Sequence, residues 1–229
     1  NEELLDNPSN VYQFSNPSEE AIKEVEEQAA LLSDEWTNLC NINLTGKKVI
    51  EISGGNGHFL NALRRFSAKL FHTELNPKDV EYVKTKLEIN SKPFNFYKNK
   101  LHNLFQDKFD IILLKGNLEF CLDIKTFLSN IEENTKTGTL IIVLTSVPTL
   151  GNFLITQFDD YNQLVLYQKE ALLKIFKEEG YTMVWERLTG DTRNNYPLAY
   201  YRNKLSRILM LGYMIPAMFK LSSDKRFLF

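Results

Sequence analysis

The fold is decided by the stretch Val49-Ile50-Glu51-Ile52-Ser53-Gly54-Gly55-Asn56-Gly57-His58-Phe59-Leu60. A short apolar strand runs into three glycines within four residues, and an apolar helical pattern follows. Glycine accepts positive φ angles and lets a ligand approach the backbone closely. In open α/β sheets, ligands bind beyond the carboxyl ends of the strands, where such turns lie. We therefore expect this turn to face a bound ligand.

Strands and helices alternate on both sides of this turn. Hydrophobic periodicity predicts helices at 18–39, 59–66, 77–90, 124–134 and 169–179. It predicts strands at 47–52, 69–73, 94–97, 109–114, 139–145 and 181–186. Strands that are apolar on both faces and separated by helices indicate a parallel sheet covered on both sides. Right-handed crossovers then favour a three-layer, doubly wound α/β fold.

Three regions are predicted along the chain. Residues 1–46 form an N-terminal helical cap, residues 47–187 form the α/β core, and residues 188–229 form a helical insertion with a final strand. The stretch 206–220 is the most apolar, and it is too short for a transmembrane helix. Its apolar face is predicted to cover the ligand edge, a second subunit in a homodimer, or a membrane surface. We favour the first two, because a soluble monomer rarely exposes so large a patch.

Composition excludes several classes of protein. The net charge of −2 argues against a nucleic-acid partner, since such proteins carry a basic footprint. Cys40 and Cys121 form no C-x-x-C pair, which indicates buried free thiols in a reducing compartment and hence a cytoplasmic protein. The three histidines, His58, His72 and His102, share no ligand-like spacing, so no metal site is predicted.

Two known patterns compete for the glycine turn. The dinucleotide fingerprint G-x-G-x-x-G fits poorly, because counting from Gly55 the sixth residue is Leu60 rather than glycine. The segment better resembles motif I of class I S-adenosylmethionine-dependent methyltransferases, acid-x-G-x-G-x-G. Glu51 stands at the acid, Gly55 and Gly57 at the later glycines, and Ser53 where the family has its first glycine.

This resemblance implies a cofactor, S-adenosylmethionine, and residues that bind it. They are Glu51, Ser53, Gly54, Gly55 and Gly57 in the turn, and Glu74 with Leu75 at the end of the second strand. Glu74 follows Gly57 by 17 residues, where a carboxylate accepts hydrogen bonds from the ribose hydroxyls. The alternative for Glu74 is a surface residue that caps the following helix.

Further motifs extend the resemblance over residues 47–187. Residues 109–114 resemble the family's F-D-x-V-x, and residues 118–123 resemble L-E-H-x-x-D, with Phe120 in place of the histidine. Residues 136–140 resemble K-P-G-G, and Gly180 with its neighbour matches G-F. The implied fold is a Rossmann-like methyltransferase sheet, mostly parallel with an antiparallel last strand.

The segments after the third and fourth strands complete the implied cofactor site. Many relatives carry an acid after strand three that bonds the adenine amino group; here the stretch contains Asn99, Lys100 and Leu101. Asn99 can accept that hydrogen bond and Lys100 cannot. Lys115, at the end of the fourth strand, is the last predicted cofactor-binding residue.

The sequence shows no catalytic dyad. The candidates are Glu119 as a base, Asn117 beside the expected methyl position, and His58, which alternatively covers the start of its helix. The predicted function is O-methylation of a small-molecule, glycan or other sugar-like acceptor. One alternative is a catalytically silent cofactor-binding protein, suggested by Ser53, Lys100 and Phe120. Another is a peripheral membrane enzyme with a lipid-linked acceptor, suggested by residues 202–220.

Overall fold

The computed structural model describes residues 17–145 and 167–184. Its helices are α1 Glu19–Cys40, α2 His58–Ala62, α3 Pro77–Lys86, α4 Ile124–Ile131 and α5 Lys169–Glu178. Its strands are β1 Lys48–Ile52, β2 Lys69–Glu74, β3 Asn90–Pro93, β4 Ile111–Lys115 and β5 Leu140–Leu144. Single 3₁₀ turns occupy Leu63–Phe66, Leu101–Asn103, Leu118–Phe120 and Glu132–Asn134. No described helix is long and apolar enough to span a membrane.

The five strands form one parallel sheet in the order β3-β2-β1-β4-β5. In the central register, Ile50 of β1 lies between Phe71 of β2 and Ile112 of β4. The strand order reverses between β1 and β4, so the crevice for a ligand opens at the carboxyl ends of these two strands. The predicted parallel, doubly wound architecture is confirmed.

Side chains on the two faces of the sheet build two separate cores. One core includes Ile50, Phe109 and Ile112 of the sheet region with Phe127 of α4 and Leu172 of α5. The other joins the opposite face of the sheet to α1, α2 and α3; its members include Trp36, Val49, Phe59, Val83 and Leu113. The alternation of strand side chains between the two sets is what makes a three-layer structure.

Helix α1 is anchored at both ends and along its length. The Ser18 hydroxyl accepts a hydrogen bond from the Ala21 N–H, and Asn41 ends the helix in the left-handed conformation at φ 54°. Trp36 is buried against Phe59 of α2, with ring centroids 6.3 Å apart. The predicted N-terminal helix is therefore confirmed, and it packs directly on the core face formed by α2.

Two predicted boundaries around β3 are wrong. The strand lies at Asn90–Pro93 rather than 94–97, and α3 ends at Lys86 rather than near residue 90. The aromatic residues favoured the later position by their β-propensity. In the structure β3 is a polar edge strand whose Ser91 hydroxyl lies 2.8 Å from Nδ1 of His72, while Phe94 leaves the sheet and enters the core.

The C-terminal predictions fall largely outside the described residues. Residues 181–184 form no strand with any part of the chain that the structure describes, so the predicted strand at 181–186 is not seen there. The helical insertion and the antiparallel last strand predicted within 188–229 lie beyond those residues. All four strand pairings that the structure describes are parallel.

Candidate functional site

The glycine turn after β1 is tied to the end of β2 by backbone donors. The Gly54 N–H donates to the Thr73 carbonyl at 3.0 Å, and the Ser53 N–H donates to the Thr73 hydroxyl at 3.3 Å. The Gly55 N–H donates to Oε2 of Glu74 at 2.9 Å. The turn is therefore fixed against its neighbouring strand, at the edge of the sheet where a ligand is expected.

Each glycine of the turn is required for a different reason. A Cβ on Gly54 would lie 2.7 Å from Oε2 of Glu51, and a Cβ on Gly57 would lie 2.7 Å from Cγ2 of Val83 on α3. A Cβ on Gly55 would meet no atom within 4 Å among the described residues. Gly54 thus makes room for a buried carboxyl and Gly57 for a packed helix. Gly55 alone has an open side that a cofactor can approach.

Ser53 keeps the turn despite replacing the family's first glycine. Its φ is 51°, in the left-handed region, as are those of Gly55 at 57° and Gly57 at 73°. For a residue with a Cβ, this conformation costs about 1–2 kcal/mol. The hydrogen bonds of the turn hold Ser53 there, so the turn keeps its conformation with serine at this position.

Glu51 lies buried beneath the turn, with 1% of its surface exposed. Burial raises the pKa of its carboxyl to about 7, and the charge of Glu74 adds to the rise, whereas Lys115 and the Leu60 backbone N–H oppose it. The Lys115 ammonium lies 5.2 Å from the centre of the Phe59 ring. Glu51 and Lys115 therefore interact electrostatically at the ends of the two strands that flank the crevice.

Glu74 is held at the carboxyl end of β2 by three backbone donors. Its Oε1 accepts from the N–H groups of Leu75 at 2.6 Å and Asn76 at 3.3 Å, and its Oε2 accepts from Gly55. The side chain that caps α3 is Asn76, whose Oδ1 accepts from the Lys78 N–H at 3.0 Å. The capping alternative for Glu74 is therefore wrong, and its carboxylate faces the glycine turn.

Asp79, on the first turn of α3, adds to the negative charge beside Glu74. Burial and, to a smaller extent, the neighbouring charge of Glu74 together raise the pKa of its carboxyl to about 6. Glu74 and Asp79 therefore place two carboxyl groups on one side of the site, a setting that favours a cationic ligand.

The residues predicted to bind adenine have side chains engaged elsewhere. Oδ1 of Asn99 accepts from the Asn95 N–H at 3.2 Å, and Lys100 forms an ion pair with Glu133 at 3.0 Å. Leu101 is completely buried in the core. Their part in cofactor binding stays a prediction. An adenine contact here would use the backbone of these residues or the second lone pair of the Asn99 amide oxygen.

The segment after β4 carries two of the catalytic candidates, Asn117 and Glu119, both buried. The Asn117 amide Nδ2 donates to the carbonyl of Ile52, the last residue of β1. This bond joins the two strands at the point where the sheet order reverses. Asn117 and the glycine turn are therefore neighbours in space, although Asn117 follows Gly57 by 60 residues in the sequence.

Two tyrosines that the sequence analysis missed fix this segment. The Tyr97 hydroxyl donates to the Phe120 carbonyl at 2.8 Å and accepts from the Leu122 N–H at 2.6 Å. The Tyr167 hydroxyl donates to the Cys121 carbonyl at 2.7 Å. Nothing in the sequence pattern pairs these residues, because the aromatic run around Tyr97 favoured a strand. Cys121 is a buried free thiol as predicted, whereas the side chain of Cys40 lies outside the described residues.

His58, the first residue of α2, faces α1 and α3. Its Nε2 is 3.0 Å from the Tyr82 hydroxyl of α3, and its Nδ1 is 4.0 Å from the Glu26 carboxylate of α1. Burial lowers the pKa of the imidazole, and Glu26 opposes that shift. These contacts are those of a packing residue that covers the start of α2, which supports the alternative given for His58 over its catalytic candidacy.

Comparison with known proteins agrees with this geometry. A family profile described as "Methyltransferase domain" matches residues 24–186. No curated protein sequence matches the chain.

Solved structures share the fold at low sequence identity. The chain is similar to magnesium protoporphyrin IX methyltransferase from Synechocystis PCC 6803 with bound SAH, at 14% identity and a TM-score of 0.54, over 82% of this chain and 88% of that one. It is also similar to a SAM-dependent methyltransferase from Archaeoglobus fulgidus, at 16% identity and a TM-score of 0.54, over 79% and 84% of the two chains. The chain is also similar to a carbon methyltransferase, at 14% identity and a TM-score of 0.55, over 80% of this chain and 53% of that one.

Proposed function

Because the chain belongs to the methyltransferase domain family, which uses S-adenosylmethionine as its cofactor, we propose that it methylates a hydroxyl group of a small-molecule or sugar-like acceptor. The observation that carries the proposal is the Glu74 carboxylate, fixed by the N–H groups of Gly55, Leu75 and Asn76 at the ligand edge of the sheet. Oε2 of Glu74 accepts only the bond from Gly55, so it keeps acceptor capacity for a ribose hydroxyl.

The described residues fit the cofactor at three points. The open side of Gly55 leaves space for a ligand against the backbone, and Glu74 supplies the ribose acceptor. The carboxyl groups of Glu74 and Asp79 favour the positive charge of a sulfonium. The bound cofactor supplies a methyl group activated for in-line displacement by the acceptor oxygen.

The residues of the chain must hold the acceptor in line and exclude water from the reacting atoms. They must also take up the proton that a hydroxyl acceptor releases. Phe120 stands where the resembling motif has a histidine and has no proton acceptor. We therefore assign the base to the adjacent Glu119, which is buried after β4 in the segment that Tyr97 fixes. We assign the acceptor surface to the predicted cap and insertion, residues 1–46 and 188–229, which flank the α/β core in the sequence.

Calorimetric titration with S-adenosylmethionine tests the ribose assignment. The wild-type chain is expected to bind, and Glu74→Ala is expected to weaken binding by about one to two decades, since charge-assisted hydrogen bonds contribute roughly 1.5–3 kcal/mol. Glu81→Ala, which removes an exposed carboxylate from the same region of α3, is the matched control and should bind as the wild type does. An unchanged dissociation constant for Glu74→Ala would disprove the assignment.

Methylation assays separate the enzyme from a silent binding protein of the same fold. The silent alternative draws on Phe120 and on the ion pair that engages Lys100. If the chain methylates hydroxyl-bearing sugars or metabolites, Glu119→Gln should lower the rate while leaving cofactor affinity unchanged. Cofactor binding without transfer to any acceptor class would favour the silent alternative.

A further inference from the structure

We propose that a cleft at the amino ends of β2 and β3 is a second ligand site, which binds a small phosphate monoester with an apolar or aromatic body. All five strands are parallel, so this cleft lies at the edge of the sheet opposite the glycine turn. The site is therefore separate from the cofactor crevice, and the inference does not depend on the proposed function.

The cleft exists because β2 begins before its neighbour β3. The pairing of β2 with β1 starts at Lys69, whereas its pairing with β3 starts two residues later, at Phe71. The chain enters β3 through Glu88, which turns in the left-handed conformation at φ 52°. These elements enclose about 370 Å³, within the range of roughly 300–1,000 Å³ that is typical of small-molecule sites.

One wall of the cleft is apolar. It is formed by Leu70, Phe71 and Ile89. Leu70 and Phe71 are only half-buried, so a ligand that covers them removes apolar surface from water. The wall therefore favours a ligand with an apolar or aromatic body over a bare inorganic anion.

The rim of the cleft carries two cations, Arg64 and Lys69. Neither of them forms an ion pair with any residue of 17–145 or 167–184. The Arg64 guanidinium donates from Nε to the Asn61 side-chain oxygen at 3.1 Å and from Nη2 to the Leu87 carbonyl. These bonds fix the guanidinium beside the cleft and leave its other N–H groups for a ligand.

The balance of charge selects an anion. Glu88 is the acid among the residues that line the cleft, so the two bases outweigh it. A phosphate monoester carries about −1.5 to −2 charges at neutral pH and three acceptor oxygens. Those oxygens can accept from both an arginine fork and a lysine ammonium. A carboxylate has a single charge and two oxygens, and it meets both cations less well.

Phenyl phosphate is the probe, because it joins a phosphate to a flat apolar ring. Titration of the full chain, followed by NMR shifts of backbone amides, should move residues 69–71 and 88–90. Lys69→Gln should weaken binding about fivefold, since an exposed charged contact contributes on the order of 1 kcal/mol. Glu88→Gln should tighten binding about twofold to fivefold, because it removes a repelling charge.

The choice of variants protects the test from misfolding. The side chains of Lys69 and Glu88 make no hydrogen bond or ion pair with the part of the chain that the structure describes, so both variants should fold. Lys84→Gln removes an exposed charge from the last turn of α3, outside the cleft lining, and is the matched control. It should bind phenyl phosphate within about twofold of wild type.

Other ligands and outcomes decide against the inference in distinct ways. Inorganic phosphate, phenol and benzoate should each bind at least about fivefold more weakly than phenyl phosphate. Equal binding of inorganic phosphate would remove the role of the apolar wall, and equal binding of benzoate would remove the preference for phosphate. Unchanged affinity in Lys69→Gln, or no shifts at millimolar phenyl phosphate, would overturn the site. A Lys69→Gln variant with altered oligomeric state and unaltered ligand affinity would make the cleft a contact between chains instead.

Discussion

The two halves of the ligand edge are built by different means. In the turn half, comprising residues 53–57 and Glu74, backbone N–H groups donate to groups that lie on the neighbouring strand. In the loop half, comprising residues 94–101 and 116–122, side chains such as Tyr97 and Asn117 bind carbonyls more than twenty residues away. A backbone conformation that glycine tolerates better than other residues leaves a mark in the sequence, whereas a side chain that reaches a distant carbonyl does not.

The largest expected effect separates two glycines within the turn half. Gly57→Ala should lower the free energy of unfolding by about 3 kcal/mol, because its Cβ overpacks Val83 and the left-handed φ adds strain. Gly55→Ala should cost only about 1 kcal/mol, since strain is its sole penalty, but should weaken S-adenosylmethionine binding. Urea denaturation and calorimetry measure the two quantities.

Val83→Ala provides the control for the packing explanation. In the double variant with Gly57→Ala, the added methyl finds the space that the valine leaves, so part of the loss should be recovered. Equal destabilisation by alanine at Gly55 and at Gly57 would contradict the distinction between an open and a packed glycine.

A smaller effect concerns the buried acid beneath the turn. The pKa of Glu51 is raised from 4.5 to about 7, so the folded state holds a proton that the unfolded chain releases between these values. Folding stability due to this group is therefore present below pH 4.5 and is lost as pH rises to about 7. Glu51→Gln should remove this pH-dependent loss of stability, which is on the order of 3 kcal/mol at about 1.4 kcal/mol for each pKa unit.

The difference in unfolding free energy between Glu51→Gln and the wild type isolates the effect of Glu51 from that of other titrating groups. His72, whose pKa burial lowers to about 4, acts with the opposite sign, because its stability contribution is lost as pH falls below 6.5. Both proteins contain His72, so its effect cancels in the difference. The stability advantage of Glu51→Gln should grow from pH 4.5 to 7 and then level off; a difference independent of pH would show that Glu51 is ionised throughout.

The loop half is tested by its tyrosines. Tyr97→Phe removes one donor and one acceptor and should lower the free energy of unfolding by about 2 kcal/mol. Tyr167→Phe removes a single donor and should lower it by about 1 kcal/mol. Hydrogen exchange at residues 118–122 should accelerate more in the Tyr97 variant. Similar exchange in both variants would mean that the segment is held by its apolar contacts and not by Tyr97.

The sequence predicted the turn half because its requirements are local. The order of strands and helices and the glycine turn follow from periodicity and from residues that tolerate positive φ, and the resemblance to the methyltransferase motifs then picks out Glu74. The loop half was predicted less well. The aromatic residues 94–97 satisfy a strand pattern but supply core packing and the Tyr97 anchor, and polar residues 90–93 form the edge strand instead. Asn117 could be named but its role could not, because the bond to Ile52 depends on the packing of two strands.

The smallest expected effect concerns Ser53, the departure that motivated the silent alternative. Ser53→Gly relieves about 1–2 kcal/mol of strain in the left-handed conformation. The greater conformational freedom of the unfolded chain offsets about 0.4–1 kcal/mol of that gain. The net gain in stability should be about 0.5 kcal/mol, measurable as a small rise in the urea midpoint. Because the turn already has the glycine-like conformation, the dissociation constant for S-adenosylmethionine should change by less than about twofold. A large gain in affinity would show instead that serine distorts the cofactor site, and would strengthen the case for a chain that has lost its activity.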